Sequence, residues 1–472
     1  MKSTDVWPAY QIVTPEIIAR LTEISGTENV SLKNADLELH ANDQGIQTAH
    51  CAEALVWATD TVQVSRVLAF ANQERIPVTA WGAGTSLEGN PIPLHGGILL
   101  SFERMTRILA VQADDFQVTV QPGLGYKDLN HHLARHGLFF APDPGANATI
   151  GGMLGNNAAG IRTVKYGATR DNVLKLELVL ADGRVIQTGS RSVKQSSGYD
   201  LTHLMIGSEG TLGLVTAATL KLAPVPVHIS AAIASFESVT AAIEAVVGVR
   251  GSGLDPAALE YLDEITIDLI SKNDGLNLPA KPTLLMEFHS THAGTMQEIL
   301  EIVRQICIET GAVQFFSTIN QSERLKLWHA RHHTMETIVR NHPGHRVTNS
   351  DVAVPISAYP ELIKFIETCR SRYGVMVYAF GHAGDGNIHV LYVTGDDSAY
   401  QTAVQMNAEV VNQAIELDGT ATGEHGIGMG KTQFMRKEHG AGLDVMFSLK
   451  RSLDPNWILN PGKIFPSNII PA

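Results

Sequence analysis

Two β-branched and aromatic stretches, Val375-Met-Val-Tyr-Ala-Phe380 and Ile388-His-Val-Leu-Tyr-Val393, flank the segment Gly381-His-Ala-Gly-Asp385-Gly386-Asn387. Strands on either side of an Asp-Gly pair predict a hairpin closed by a two-residue type I′ turn, whose central residues both need positive φ. Counting outward from Asp385-Gly386 sets Gly384 opposite Asn387, Ala383 opposite Ile388 and His382 opposite His389. Directly opposed side chains on one hairpin face have Cβ atoms roughly 5 Å apart, so both imidazoles can reach one divalent ion. Further on, Thr422-Gly-Glu424-His425-Gly-Ile-Gly428 offers Glu424 as a third ligand, leaves coordination positions for substrate, and puts His425 beside them as a base. Two cross-strand histidines by themselves are as readily structural as functional. The crowding of Gly381, Gly384, Gly386, Gly423, Gly426 and Gly428 into these two segments favours a site, because it suits backbone that must lie close to a bound group.

A chain of 472 residues is too long for one ordinary core and predicts two or three structural units. Its composition is globular, 44% hydrophobic and 18% charged with 42 glycines, and so rich in tight turns. A net charge of −13 without a basic run argues against a nucleic-acid partner. Three scattered cysteines, Cys51, Cys307 and Cys369, with no CxxC exclude a disulfide framework, an iron–sulfur centre and c-type haem attachment. The stretch Met1–Pro8 has no apolar signal core, and no apolar run approaches the ~18 residues of a membrane span. The expectation is a cytoplasmic protein whose membrane association, where it occurs, is peripheral and at the inner face.

Residues 1–51 read as a polar lead-in with a short helical pattern near Thr14–Ile24. From Ala54 a strand, a helix over Val62–Glu74 with Val64, Val67, Leu68 and Ala71 on one face, and a strand at Val78–Trp81 form a β–α–β unit opening on a glycine loop. Strands follow at Gly97–Phe102, Gln117–Gln121, Val173–Leu180 and Thr211–Leu222, and Ala223-Pro-Val-Pro226 marks a domain boundary. Beyond it come strands at Ile229–Phe236, Thr283–His289 and Val313–Ser317. Helices are expected at Val239–Val247, Thr295–Gly311, Glu323–Val339, Tyr359–Tyr373, Ala399–Leu417 and Asp444–Leu453. The pattern predicts an α+β fold with a largely antiparallel sheet in the second part.

The loop Trp81-Gly82-Ala-Gly84-Thr85-Ser86 can cradle a pyrophosphate, yet the third glycine of a Rossmann fingerprint would fall on Leu87, and Glu88-Gly-Asn-Pro stands where a helix should begin. Pro142-Asp-Pro-Gly-Ala-Asn-Ala-Thr149-Ile-Gly151-Gly152-Met-Leu-Gly155-Asn156-Asn157-Ala-Ala-Gly160 and Gly207-Ser-Glu-Gly210-Thr-Leu-Gly213 are two further loops, and together the three imply an extended ligand. At these motifs the chain resembles the FAD-linked oxidases of the vanillyl-alcohol oxidase and p-cresol methylhydroxylase type, from about residue 52 onward. Within that family LWHARH (Leu327–His332), NSDVAVPIS (Asn349–Ser357), GHAGDGNIH and TGEHGIGMGK resemble the D-lactate dehydrogenase branch.

The resemblance implies a two-part FAD-binding domain over 52–225 and an α+β cap domain on an antiparallel sheet over 226–428, binding substrate and metal. A C-terminal helical return, 429–472, would pack back on the FAD domain. It implies flavin contacts from Gly82, Gly84, Thr85, Ser86, Pro142, Thr149, Gly152, Asn156, Gly160 and Gly210, with Asn460 and Lys463 of Asn-Pro-Gly-Lys nearby. Members that attach flavin covalently often carry a histidine after the first loop's glycines. Thr85 stands there, so non-covalent FAD is expected.

The chemistry expected is oxidation of a short D-2-hydroxy acid, D-lactate first, to the 2-oxo acid. Zinc, manganese or iron on His382, His389 and Glu424 would chelate the substrate, His425 would take the hydroxyl proton and Arg331 would grip the carboxylate. Electrons would leave to a cytochrome, a quinone or an electron-transfer protein. Asn349 and Leu391 stand where relatives acting on D-2-hydroxyglutarate carry lysine and asparagine, so a small side chain is expected in the substrate. Glycolate or D-2-hydroxyglutarate as substrate, a zinc hydrolase and an accessory FAD-binding subunit are the alternatives.

Overall fold

The computed structural model describes residues 9–466, and Met1–Pro8 with the signal reading made on it lies outside them. The chain divides into two compact units. The first holds the described residues up to Ala158, then Ala168–Val225, then the described residues from Glu424 onward; the second holds Ala159–Gly167 and Pro226–Gly423.

In the first unit a four-stranded sheet runs in the order Val30–Ser31, Ala54–Trp57, Ile98–Ser101, Val78–Trp81, the last three mutually parallel. The helix Thr61–Glu74 makes the crossover. Asp60 caps it by accepting from the Gln63 amide at 2.9 Å, and Val64, Val67, Leu68 and Ala71 are fully buried on one stripe. A five-stranded antiparallel sheet has the order Ile108–Gln112, Gln117–Val120, Leu214–Lys221, Val173–Val179, Val185–Gly189. In the C-terminal stretch the buried Lys450 Nζ, on the helix Gly442–Leu453, donates to Thr211 O and Leu459 O at 2.8 and 2.9 Å and pairs with Asp454.

The second unit is built on a seven-stranded, wholly antiparallel sheet. Its order is Ala312–Thr318, His228–Phe236, Thr283–Ser290, Ala258–Leu262, Met376–Gly381, Asn387–Thr394, Arg346–Ala353. One face carries Ala258, Leu262, Leu285, Tyr378, Phe380, Leu391 and Val393 into a single apolar cluster with Ile267, Ile270, Leu327, Trp328 and Ala330 from the helices Glu264–Asp274 and Gln321–His332.

The structure corrects two expectations here. The histidine hairpin has no two-residue turn: Ala383–Asp385 form a 3₁₀ turn, Gly386 follows at φ +76, and the ladder pairs Phe380, not His382, with His389. His382 therefore sits in the connection and is not a directly opposed cross-strand partner. A type I′ turn needs positive φ at both central residues, and of the pair only Gly386 has it; the His382 carbonyl instead accepts from Asp385 N at 2.9 Å and Asn387 N at 3.2 Å inside the connection. The helix expected over Glu323–Val339 is two helices, Gln321–His332 and Thr334–Asn341, broken at His333. The Thr334 hydroxyl donates back to the carbonyls of Ala330 and Arg331 at 3.1 and 2.9 Å, a local bond that bends helices.

Candidate active site

The glycine loops of the first unit lock onto one another. A Cβ on Gly82 would lie 2.4 Å from Thr149 Oγ1, and Thr149 caps the helix Ile150–Asn156 by accepting from Gly152 N at 3.2 Å. Gly84 has φ +65, with the Trp81 ring beside it. Thr85 follows the bend, and Ser86 Oγ donates to Asn90 Oδ1 at 2.7 Å and to Asp43 Oδ2 at 3.0 Å, tying the first loop to Asp43. Pro142 is buried at the start of the second loop. Gly210 has φ +70, the left-handed backbone that favours glycine, and at Gly155 the atom nearest its Cβ position is Glu209 Cα at 3.9 Å, so Gly155 leaves room beside it. Gly160 falls in the short segment that belongs to the second unit.

Three of the expected flavin contacts hold backbone. Asn156 Nδ2 donates to the His425 carbonyl at 3.0 Å. Asn460 Nδ2 donates to Asn90 O and Glu209 O at 2.9 and 2.7 Å, while its buried Oδ1 has no partner. Lys463 Nζ donates to Ile92 O at 2.7 Å; burial pulls its ammonium down to about 8, against the carboxylates of Glu209 and Asp43. Glu209, not anticipated from the sequence, is buried and accepts from Ile427 N at 2.6 Å, Gly428 N at 2.8 Å and Asn90 Nδ2 at 2.7 Å. It fixes the loop that begins with Glu424 and His425, whose Oε1 and Nε2 are 3.8 Å apart. Burial raises the Glu209 carboxyl. The glycine-lined loops and the orphaned Asn460 Oδ1 fit a flavin nucleotide, whose hydroxyl and ring N–H donors satisfy such an acceptor.

In the second unit His382 Nε2 and His389 Nε2 converge to 3.5 Å, with ring planes at 90°. Two nitrogens each about 2.0–2.1 Å from an ion at tetrahedral angles stand about 3.4 Å apart, so the pair fits one divalent ion. Behind each imidazole is a buried carboxylate that the sequence reading did not assign. Glu260 Oε1 lies 2.7 Å from His382 Nδ1, and Asp351 Oδ1 lies 3.8 Å from His389 Nδ1. Asp351 also accepts from Thr422 Oγ1 at 2.9 Å and from Asn387 Nδ2. Gly423 passes so close that a Cβ would lie 2.1 Å from Asn387 Nδ2.

Arg331 is buried, and its Nε and Nη2 both meet Glu260 Oε2, at 2.8 and 2.6 Å. One edge of the guanidinium is thus engaged within the protein, which leaves the Nη1 side for any other carboxylate. Its charge lies 4.9 Å from the centre of the Phe380 ring. Burial pushes the Glu260 carboxyl up, but His382 and Arg331 together hold it below the usual range. Leu391 shares the strand face of His389 and is fully buried in the apolar cluster, opposite Asn349, whose Oδ1 is buried without a partner.

Sheet order and loop chemistry define a flavin-binding oxidoreductase fold with a separate antiparallel domain. A family model described as FAD binding domain matches residues 52–189, and one described as FAD linked oxidases, C-terminal domain, matches 225–464. The probable mitochondrial D-lactate dehydrogenase of Danio rerio is 36% identical over 454 residues, 95% of this chain and 91% of that protein. The mitochondrial D-lactate dehydrogenase (cytochrome) of Arabidopsis thaliana is 35% identical over 465 residues, covering 98% and 82%, and a glycolate oxidase subunit of Bacillus subtilis is 36% identical over 461 residues, covering 96% and 97%. Among solved structures, 4-ethylphenol oxidase from Gulosibacter chungangensis superposes with a TM-score of 0.80 over 98% of this chain and all of that one, at 18% identity. For p-cresol methylhydroxylase the TM-score is 0.76 over 96% of each chain, at 16% identity. The chain belongs to the FAD-linked oxidases, and its FAD-binding domain is of the p-cresol methylhydroxylase type.

Proposed function

We propose that this chain is an FAD- and metal-dependent dehydrogenase of short D-2-hydroxy acids, acting on D-lactate to give pyruvate. The observation that carries the reading is the pair of Nε2 atoms 3.5 Å apart, each with a buried carboxylate behind it, in a chain that matches D-lactate dehydrogenases over nearly its whole length. FAD, held non-covalently by the loops around Gly82–Ser86, Thr149–Gly160 and Gly207–Gly210, supplies the acceptor for the C2 hydrogen and its electron pair. A divalent ion on His382, His389 and Glu424, the residue after Gly423, supplies Lewis-acid chelation of the hydroxy acid.

The residues of the chain do the rest. Arg331 presents its remaining edge to the substrate carboxylate, and a planar fork fixes orientation as a lysine cannot. His425 takes the hydroxyl proton as the C2 hydrogen leaves, so two protons and two electrons depart and a carbonyl forms. Leu391 and Asn349 present no cation to a distal carboxylate. Three scattered cysteines are too few for an iron–sulfur relay, so electrons pass to a separate cytochrome, quinone or electron-transfer protein. A cytoplasmic location at the inner membrane face suits such a carrier.

Glycolate is the second reading, favoured by the likeness to the Bacillus subtilis glycolate oxidase subunit. An anaerobic panel of D-lactate, L-lactate, glycolate, D-2-hydroxybutyrate and D-2-hydroxyglutarate, each tested for loss of flavin absorbance, separates the two. Fastest bleaching by D-lactate supports the reading, and fastest bleaching by glycolate replaces it.

A further inference from the structure

Glu260 is a fully buried carboxylate in a strand that is otherwise apolar on both sides, Ala258-Leu-Glu-Tyr-Leu262. Isolated ionised groups are not tolerated in such places without partners. Its two oxygens divide the labour: Oε2 takes Nε and Nη2 of Arg331, and Oε1 takes Nδ1 of His382.

We infer that Glu260 is the positioning residue of the site, fixing the proton of His382 on Nδ1 so that the lone pair on Nε2 points toward His389, while it fixes which edge of Arg331 is exposed to substrate. The inference rests on the metal and substrate reading above and deepens it by naming what holds both groups. A neutral imidazole has one N–H and one lone pair, and the partner of one nitrogen decides which nitrogen carries the proton. A carboxylate only accepts, so opposite Glu260 the Nδ1 atom must be the donor.

An isosteric substitution tests this in a way that simple loss of packing does not imitate. In Glu260→Gln the new amide has one acceptor and one donor end. Arg331 only donates, so it claims the amide oxygen, and the NH₂ end is left facing His382 Nδ1. That nitrogen must then accept, which moves the proton to Nε2 and removes the lone pair from the ligating atom. Removing the arginine frees the amide to turn round. Glu260→Gln/Arg331→Met therefore regains the Nδ1–H form, and Arg331→Met alone never loses it.

The experiment is titration of Mn²⁺ or Zn²⁺ into metal-stripped, FAD-loaded protein for the wild type and these three variants, with flavin content as the check on folding. The inference expects Glu260→Gln to bind the ion about 10–100-fold more weakly, Arg331→Met to bind it within about threefold of wild type, and the double variant to recover about tenfold or more over Glu260→Gln. Wild-type affinity in Glu260→Gln, or no recovery in the double variant, overturns the role of Glu260. A wild type that binds no divalent ion overturns the metal reading instead, so the two failures are distinct. Should Glu260→Gln not fold, the tautomer is read directly in ¹⁵N-histidine spectra of the metal-free wild type, with the His382 signals assigned by their loss in His382→Ala. A proton on Nδ1 supports the inference, and a proton on Nε2 ends it.

Discussion

His389 stands directly across the ladder from Asp351, with Nδ1 3.8 Å from Oδ1. The carboxylate is fully buried and also gathers Asn387 Nδ2 and Thr422 Oγ1, so it joins the histidine hairpin to the chain that runs on through Gly423. Asp351→Asn places an amide donor among these donors. The expected outcome is a loss of about 1–3 kcal/mol of stability and metal affinity reduced by about tenfold or more, read by thermal unfolding and by ion titration. Wild-type values in both would remove Asp351 from the site.

Thr85 lies where a covalently linking histidine would stand, which predicts that acid precipitation of the holoenzyme releases its yellow colour into the supernatant. Colour retained in the pellet contradicts non-covalent binding.

On the proposed assignment of Leu391 and Asn349 to the substrate side chain, the pocket offers no charge: Leu391 is fully buried and Asn349 is its ladder partner. A distal carboxylate desolvated there without a cation costs several kcal/mol, whereas a methyl group gains ~0.8 kcal/mol. kcat/KM for D-lactate should exceed that for D-2-hydroxyglutarate by at least about 100-fold, and a preference for the diacid would mean another residue supplies the missing charge.

Asp263 predicts a pH effect on stability. Burial raises its carboxyl from 3.8 to about 6, against the pull of Thr266 and Arg370. Between those two values the folded chain keeps a proton that the unfolded chain has released, so stability falls as pH rises through the window and this contribution is complete below it. Asp263→Asn keeps the cap on the helix Glu264–Asp274, since asparagine caps equally well. It should flatten the dependence of Tm on pH between about 4 and 6. An unchanged slope in the variant would assign the effect elsewhere.

Periodicity places Tyr359–Tyr373 and Val78–Trp81 where the structure has them, but it passes over the strands Ile108–Gln112, Val185–Gly189, Ala258–Leu262 and Arg346–Ala353. It also failed at the hairpin connection. Asp385-Gly386 has the composition of a two-residue turn, yet only Gly386 has positive φ, the connection is longer, and the register is shifted past His382. The two histidines still meet, because His382 reaches back from the connection. Glu260 was passed over because its strand is short and follows an irregular Gly-Leu-Asp-Pro stretch. The signal was there: one carboxylate inside Ala257-Ala-Leu-Glu-Tyr-Leu262 demands a buried partner. Asp351 lies in NSDVAVPIS and Glu209 in the Gly207–Gly213 loop, but their partners are distant in sequence and only the fold reveals them.

The proposed function requires D-lactate to reduce the flavin with a divalent ion bound at the proposed His382–His389 site. Anaerobic stopped-flow mixing of D-lactate with FAD-loaded protein, as purified, stripped of metal, and re-supplied with Mn²⁺ or Zn²⁺, measures that step alone. The expected result is rapid bleaching of the native protein, a rate at least about 100-fold lower after stripping, and recovery on re-supply. An undiminished rate in verified metal-free protein, or no bleaching by any D-2-hydroxy acid, contradicts it.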